Sequence, residues 1–395
     1  MDLISQLPED VKHRILECLD TREAAKAALL STQWNDVWLR HGRLVFSDEV
    51  LLGECEGVRC SKMITNALLL RPGPVKKFTL DTSLWEPAMQ QSDLDLWCRS
   101  LTKNGIEHLN LTIDAQDMGD KYTLPVCIIS CPTIKQLQLD SIDICLPGNP
   151  RPGSMFSGVT SLKFTFVEFY RHDSLTVIPH IPYLEVLVFW DCHGIDTFVI
   201  NAPRLKYLSF NDARFVAEWE WIELHFRVIK TLIFGAYTFL YKTDATINIQ
   251  ERLPIATNLQ VIKLHAFRFA DANCINLVIQ LLRKCPKLRK LEIFISNYQS
   301  RLWGEASPSI LRDLDSWFCD LDLGELRTVK MKSFNGSRQE MLFIKLIISK
   351  SPSLEEVLIT ESGRIDTSVA LKVLTEMISY PRASPKAKIV FLRPG

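Results

Sequence analysis

The chain has 395 residues, 46 lysines and arginines against 46 aspartates and glutamates, and so no formal net charge. That length exceeds one small core and suggests two or three units or one extended array. The charge balance argues against global attraction to nucleic acid or an anionic membrane and leaves only local patches to consider. No basic-then-apolar leader opens the chain and no apolar run approaches ~18 residues, so neither a secretory signal nor a membrane span is expected. Eleven cysteines, an odd number scattered along the chain, read as reduced thiols of the cytoplasm or nucleus, with no disulfide framework.

The first element is expected at "ISQLPEDVKHRILECL". Pro8 suits a helix's first turn and Glu9 and Asp10 its positive end. Val11, Ile15 and Leu19 follow at spacings of four with Leu16 beside them, forming one apolar stripe, with Lys12, His13, Arg14 and Glu17 elsewhere. A second helix in "DTREAAKAALLSTQWNDVWLR" is capped by Asp20 or Thr21. After a break at Ser31, a third carries Trp34 and Trp38 on one face. Three short helices with this much apolar surface cannot bury it all internally, which suggests a docking module.

These residues resemble the F-box family, over roughly residues 3 to 41. Leu7-Pro8 open the first helix, Ile15 and Leu19 run along it, Ala24 to Leu30 form the second, and Leu30-Ser31, Trp34 and Trp38 begin and fill the third. The resemblance implies docking on a Skp-type adaptor, and through it on cullin and RING subunits of a ubiquitin ligase, by Leu7, Pro8, Val11, Ile15, Leu16, Leu19, Leu30, Ser31, Trp34 and Trp38. Thr32 and Gln33 depart from the basic residues that relatives often carry there.

The rest of the chain repeats one template: an aliphatic residue, two others, a large apolar residue, one other, and another large apolar residue. Eleven copies run from Val75/Phe78/Leu80 to Leu354/Val357/Ile359, with central residues 21 to 38 positions apart, near the period of leucine-rich repeats. The last two apolar positions alternate with a non-core residue, a strand signature. Proline phrases such as "CPTIKQLQL", "IPYLEVLVF" and "CPKLRKLEI" end the preceding element. Between strands, "CINLVIQLLRKCP" and "RQEMLFIKLIISKSP" read as helices and "DSIDICLPGNPRPGSMFSG" as a loop. The expected fold class is α/β: a three-helix F-box, then an irregular leucine-rich-repeat solenoid with a curved parallel sheet, outer helices and loops, and a C-terminal cap.

The tail, "LRTVKMKSFNGSRQEMLFIKLIISKSPSLEEVLI" and then "YPRASPKAKIVFL", resembles the FBD region of plant F-box and leucine-rich-repeat proteins. A last helix through Val369, Val373, Leu374 and Met377 and a closing strand at Ile389 to Leu392 would cap the array. The expected divisions are 1–45 F-box, 46–74 connection, 75–323 repeats and 324–395 FBD-like region.

Catalytic signals are weak. There is no phosphate-cradling glycine loop, HExxH or nucleophile elbow. Cys127 and Cys131 have metal-like spacing but no second pair, and Cys192-His193 lacks an orienting third group. No cofactor, metal or catalytic residue is expected. Strand positions alternating with the core offer two candidate substrate-binding patches. Val186, Val188, Trp190, Tyr207, Thr231 and Ile233 form an apolar set, and Lys263, His265, Lys290, Lys330 and Lys332 a basic one against Glu292. The first would anchor a target segment and the second attract acidic or phosphorylated residues. Alternatively "RFVAEWEWIELHF" folds over the first, and the lysines are a solvated face. The resulting expectation is a non-catalytic substrate receptor of a Skp-cullin-F-box ubiquitin ligase, with a non-ligase repeat scaffold or a hormone-binding receptor variant as alternatives. An unidentified target protein, and in the hormone variant a small molecule, are the expected ligands; nucleic acid and membrane are not.

Overall fold

The computed structural model of the chain describes residues 4–47, 57–82, 89–113, 121–147, 154–171, 179–198, 200–211, 224–235, 254–296, 318–363 and 367–393. It divides into two compact units, Met1–Val186 with Cys192–Ala202, and Leu187–Asp191 with Pro203–Gly395.

The first unit opens with α1 (Glu9–Cys18), α2 (Thr21–Ala27) and α3 (Thr32–Arg40). Side-chain caps fix the starts of α2 and α3. The Asp20 carboxylate accepts from the Glu23 amide at 2.7 Å, and the Ser31 hydroxyl accepts from the Trp34 amide at 3.3 Å. Leu16, Ala24, Trp34 and Val37 form the buried centre between the helices, with Leu7, Leu19, Ala27 and Trp38 packed around it. Strand β1 (Arg43–Phe46) follows at once, then α4 (Gly57–Leu69), β2 (Lys77–Asp81), α5 (Gln91–Lys103) and β3 (His108–Thr112). Beyond these come β4 (Tyr122–Thr123), the short α6 (Val126–Ile129), β5 (Gln136–Asp140), β6 (Ile142–Leu146), β7 (Ser161–Thr165) and β8 (Phe169–Arg171). A parallel sheet runs β1-β2-β3-β5-β7, and a smaller parallel sheet runs β4-β6-β8. The loop expected at "DSIDICL" is therefore corrected. Ile142, Ile144 and Leu146 alternate into the core and make β6 a strand. Among the core aromatics, Phe169 stacks on Phe198 at 4.9 Å and meets Phe164 edge-on at 5.1 Å.

The second unit contains most of β9 (Val186–Trp190), then β10 (Tyr207–Asn211), β11 (Thr231–Gly235), β12 (Val261–Phe267), α7 (Ala272–Arg283) and β13 (Lys290–Ile295). It closes with β14 (Thr328–Phe334), α8 (Arg338–Ser349), β15 (Glu356–Glu361), α9 (Thr367–Ile378) and β16 (Lys388–Leu392). From β10 to β16 each strand pairs parallel with the next in sequence. Both helices expected from apolar periodicity are present as α7 and α8. A capping box fastens α8: Ser337 and Glu340 each accept from the other's backbone amide, at 3.3 and 3.2 Å.

All eleven template copies become strands, and none of their apolar residues is more than 2 % exposed. Two residues beyond the last of these, in five copies, the backbone turns left-handed: Ser141, Phe166, Asp191, Ala266 and Ser333 have φ between 46° and 59°. Each such kink returns the next side chain to the core: Ile142, Val167, Cys192, Phe267 and Phe334 are all buried. An apolar residue thus fills the place where the commonest leucine-rich consensus has asparagine.

Candidate functional site

Two surfaces require description: the helical module, and the sheet face opposite the core. In the first, α1 turns a different side inward from the one its stripe suggests. Leu16 and the stem of Lys12 are buried, Val11 and Leu19 are half-buried, and Ile15 is 36 % exposed. The Lys12 ammonium donates to the Ser5 carbonyl at 2.6 Å and to the Gln33 side-chain carbonyl at 3.0 Å, which satisfies a cation inside the module. The departure at Gln33 thus has a local cause. A basic residue at that position would bring a second cation beside this ammonium.

The expected adaptor-binding residues therefore separate. Leu16 and Trp34 are interior, so their assignment to a partner surface is corrected: they build the module's own core. Ser31 is engaged as the α3 cap and receives a hydrogen bond from Ser5 at 2.9 Å. Trp38 is half-buried, with the Arg71 guanidinium 4.5 Å above its ring. Leu7 is half-buried, whereas Pro8, Ile15 and Leu30 stand exposed, Leu30 at 61 %. Leu29, 86 % exposed, joins them, although the sequence reading placed it merely within the second helix. These residues leave apolar surface exposed on a module whose own core is already closed.

The same helices also cover the sheet's first edge. The Val45 amide of β1 donates to the Thr21 hydroxyl at 2.6 Å, and Arg43 donates to the Glu17 carbonyl. Arg71, after α4, donates to the carbonyls of Trp38, at 2.5 Å, and His41. Burial, then the nearby charges of Arg71, His13 and Arg43, lower the His41 pKa to about 4.

On the sheet face the apolar patch is less open than expected. Val186, Val188, Tyr207 and Thr231 are half-buried and Trp190 is 42 % exposed, but Ile233 is only 5 % exposed. The expectation that Ile233 contacts a substrate is corrected, because its side chain has no surface to offer. Of the run thought able to cover this patch, residues 214–223 lie outside the described residues.

The basic patch is assembled by strand register, which aligns Lys263, Glu292 and Lys330 across β12, β13 and β14. Glu292 divides its two oxygens: one is 3.2 Å from the Lys263 ammonium, the other 2.6 Å from that of Lys290. Burial opposes its ionisation, but the two lysine hydrogen bonds outweigh this and hold the carboxyl below its usual pKa. His265 stacks on Phe294 at 4.5 Å, and the Lys332 ammonium sits 4.9 Å from the same ring. Four of the five basic residues expected here are thus held in specific contacts.

Among the described residues no group of three or more His, Cys, Asp or Glu side chains is arranged to hold a metal, and no helix is long and apolar enough to cross a membrane.

Comparison with known proteins agrees with this architecture. Residues 4–46 match the F-box domain family, and residues 94–262 match the leucine-rich repeats of the FBD-associated F-box protein At5g56370. The chain is similar to the F-box/FBD/LRR-repeat protein At1g13570 of Arabidopsis thaliana, with 26 % identity over 99 % of both chains. It is also similar to the probable FBD-associated F-box protein At1g32375 of that plant, at 22 % identity over 99 % of this chain and 100 % of the relative. The F-box/FBD/LRR-repeat protein At4g26340 gives 23 % over the same shares. The F-box match thus falls on the helical module at the start and the match to FBD-associated leucine-rich repeats on the repeat strands behind it, the order carried in the names of the F-box/FBD/LRR-repeat proteins to which the chain is similar along its length.

Proposed function

We propose that this protein is the substrate-receiving subunit of a Skp-cullin-F-box ubiquitin ligase. The observation that carries the reading is the matched F-box at residues 4–46, folded around its own core and still exposing Pro8, Ile15, Leu29 and Leu30. The mechanism is positioning: the F-box holds the adaptor, the repeats hold a target, and local concentration drives transfer by other subunits. It needs no catalytic residue in this chain. The division proposed with it is 1–45 F-box, 46–74 connection, 75–323 repeats and 324–395 FBD-like cap, acting in cytoplasm or nucleus.

Co-expression with a Skp-type adaptor tests this. Wild type is expected to co-purify with the adaptor. The double variant Pro8→Ala, Leu30→Glu, whose side chains lie outside the module's core, is expected to fold with an unchanged thermal melt and lose the adaptor. A well-folded wild type that does not bind would favour a repeat scaffold without a ligase.

A further inference from the structure

On a chain of zero formal charge, the exposed grid of β12–β16 is strongly one-sided. The strand positions alternating with the core carry Lys263, Lys290, Lys330, Lys332 and Lys388 against Glu292 and Glu356, an excess of 5 − 2 = 3 positive charges. These cations are not equivalent. Lys263 and Lys290 each sit against one oxygen of Glu292, whereas among the described residues no ion pair joins that carboxylate to the neighbouring Lys330. Among the described residues Lys330 and Lys332 have no carboxylate partner. They share one strand at alternate positions, so their side chains leave the same face roughly 7 Å apart. The Lys332 ammonium lies 4.9 Å from the centre of the Phe294 ring, on which His265 stacks at 4.5 Å, a cation–π contact that gives it a preferred place.

We propose that Lys330 and Lys332, with Phe294 as the residue that positions the second, receive an anionic side chain on an extended segment of a partner protein. The charge excess selects the sign. Two ammoniums at this spacing suit a group with several acceptor oxygens, a carboxylate or a phosphate, through charge-assisted hydrogen bonds. Glu292 serves as an internal competitor that keeps Lys263 and Lys290 occupied and narrows the site to one strand. This deepens the receptor reading by giving the target a chemical class, and it rests on the sheet face being the receiving surface.

The test uses the full chain co-expressed with its adaptor and two fluorescent probes: a short peptide alternating glutamate with glycine, and the same peptide with phosphoserine for glutamate. Wild type is expected to bind one or both, more weakly as salt rises, and the preferred probe identifies the anion's source. Lys330→Glu with Lys332→Glu should weaken binding about tenfold or more, while the Lys330→Arg, Lys332→Arg pair retains it. Glu292→Gln should tighten it by releasing two further ammoniums, an effect that loss of structure would not produce. Absence of binding by wild type, equal binding by the charge-reversed variant, or tighter binding of a single-stranded oligonucleotide than of either peptide would overturn the proposal. Adaptor co-purification, read in the same preparations, reports on the ligase reading separately.

Discussion

His41 shows how one buried side chain makes the helical module sensitive to pH. Its ring lies among Trp38, His13, Arg71 and Arg43, and its pKa falls from 6.5 to about 4. In the unfolded chain the imidazole takes up a proton as pH drops through the ordinary histidine range. In the folded chain it stays neutral until about 4. The unfolded state therefore binds more protons between these values, and stability falls as pH falls through that window. At ~1.4 kcal/mol per pKa unit the loss amounts to up to about 3 kcal/mol. Denaturant unfolding of wild type from pH 7 to 4 should show this decline, and His41→Gln should flatten it. A slope unchanged by that substitution would place the titrating group elsewhere. Residue-scale facts of this kind were the least legible in the sequence. Leu16 and Ile15 are adjacent members of one apolar stripe, and nothing in their spacing says which faces the module's own core and which is left for a partner. The Glu292 pairing was similarly hidden, since it depends on which residues of β12 and β13 the register sets side by side.

At the scale of the element the sequence was far more legible. The spacing of apolar residues placed all eleven strands, the two helices α7 and α8, and the closing strand β16, because burial on one sheet face leaves a period of two that composition cannot disguise. Four strands escaped, β4 and β8 among them because they are only two and three residues long. β1 follows α3 after only two residues and lacks the proline phrase that marks several of the others. β6 was outweighed by the glycine and proline of the run behind it, although Ile142, Ile144 and Leu146 already alternated. The left-handed kink after the strand was also missed, for its occupants share no chemistry: serine at two positions, then aspartate, phenylalanine and alanine. Backbone geometry alone defines the position. A β-branched residue there meets the steric penalty of positive φ, whereas glycine does not. Ala266→Val, at φ 50°, is accordingly expected to destabilise by about 1–2 kcal/mol, and Ala266→Gly to leave stability within about 1 kcal/mol of wild type. Equal effects of the two variants in urea denaturation would mean that packing, and not the backbone, decides this site.

Across the second unit as a whole, stability should follow place in the array, because each strand draws support from its two neighbours. β13 pairs with β12 on one side and β14 on the other, and its Leu291 is fully buried. β16 pairs with β15 as the last strand of its sheet, and its Ile389, Val390 and Phe391 remain half-buried. The lysines assigned to anion capture lie on β14, which pairs with β13 and β15, so the receiving groups are held on backbone braced from both sides. That placement suits a surface whose work is to hold a partner in a fixed position. Hydrogen exchange should therefore find the amides of β16 released first and those of β13 and β14 last. Leu291→Ala should cost about 2–5 kcal/mol and speed exchange in β12 and β14 as well as β13, since the cavity weakens a strand on which both depend. Phe391→Ala should cost less, about 1–2 kcal/mol, because its ring is already partly in water, and confine its effect to β15, β16 and the end of β14, where Phe334 meets that ring edge-on. If both variants loosened every strand alike, the unit would unfold as one cooperative block, and neighbour-by-neighbour support would not be what holds the receiving lysines in place.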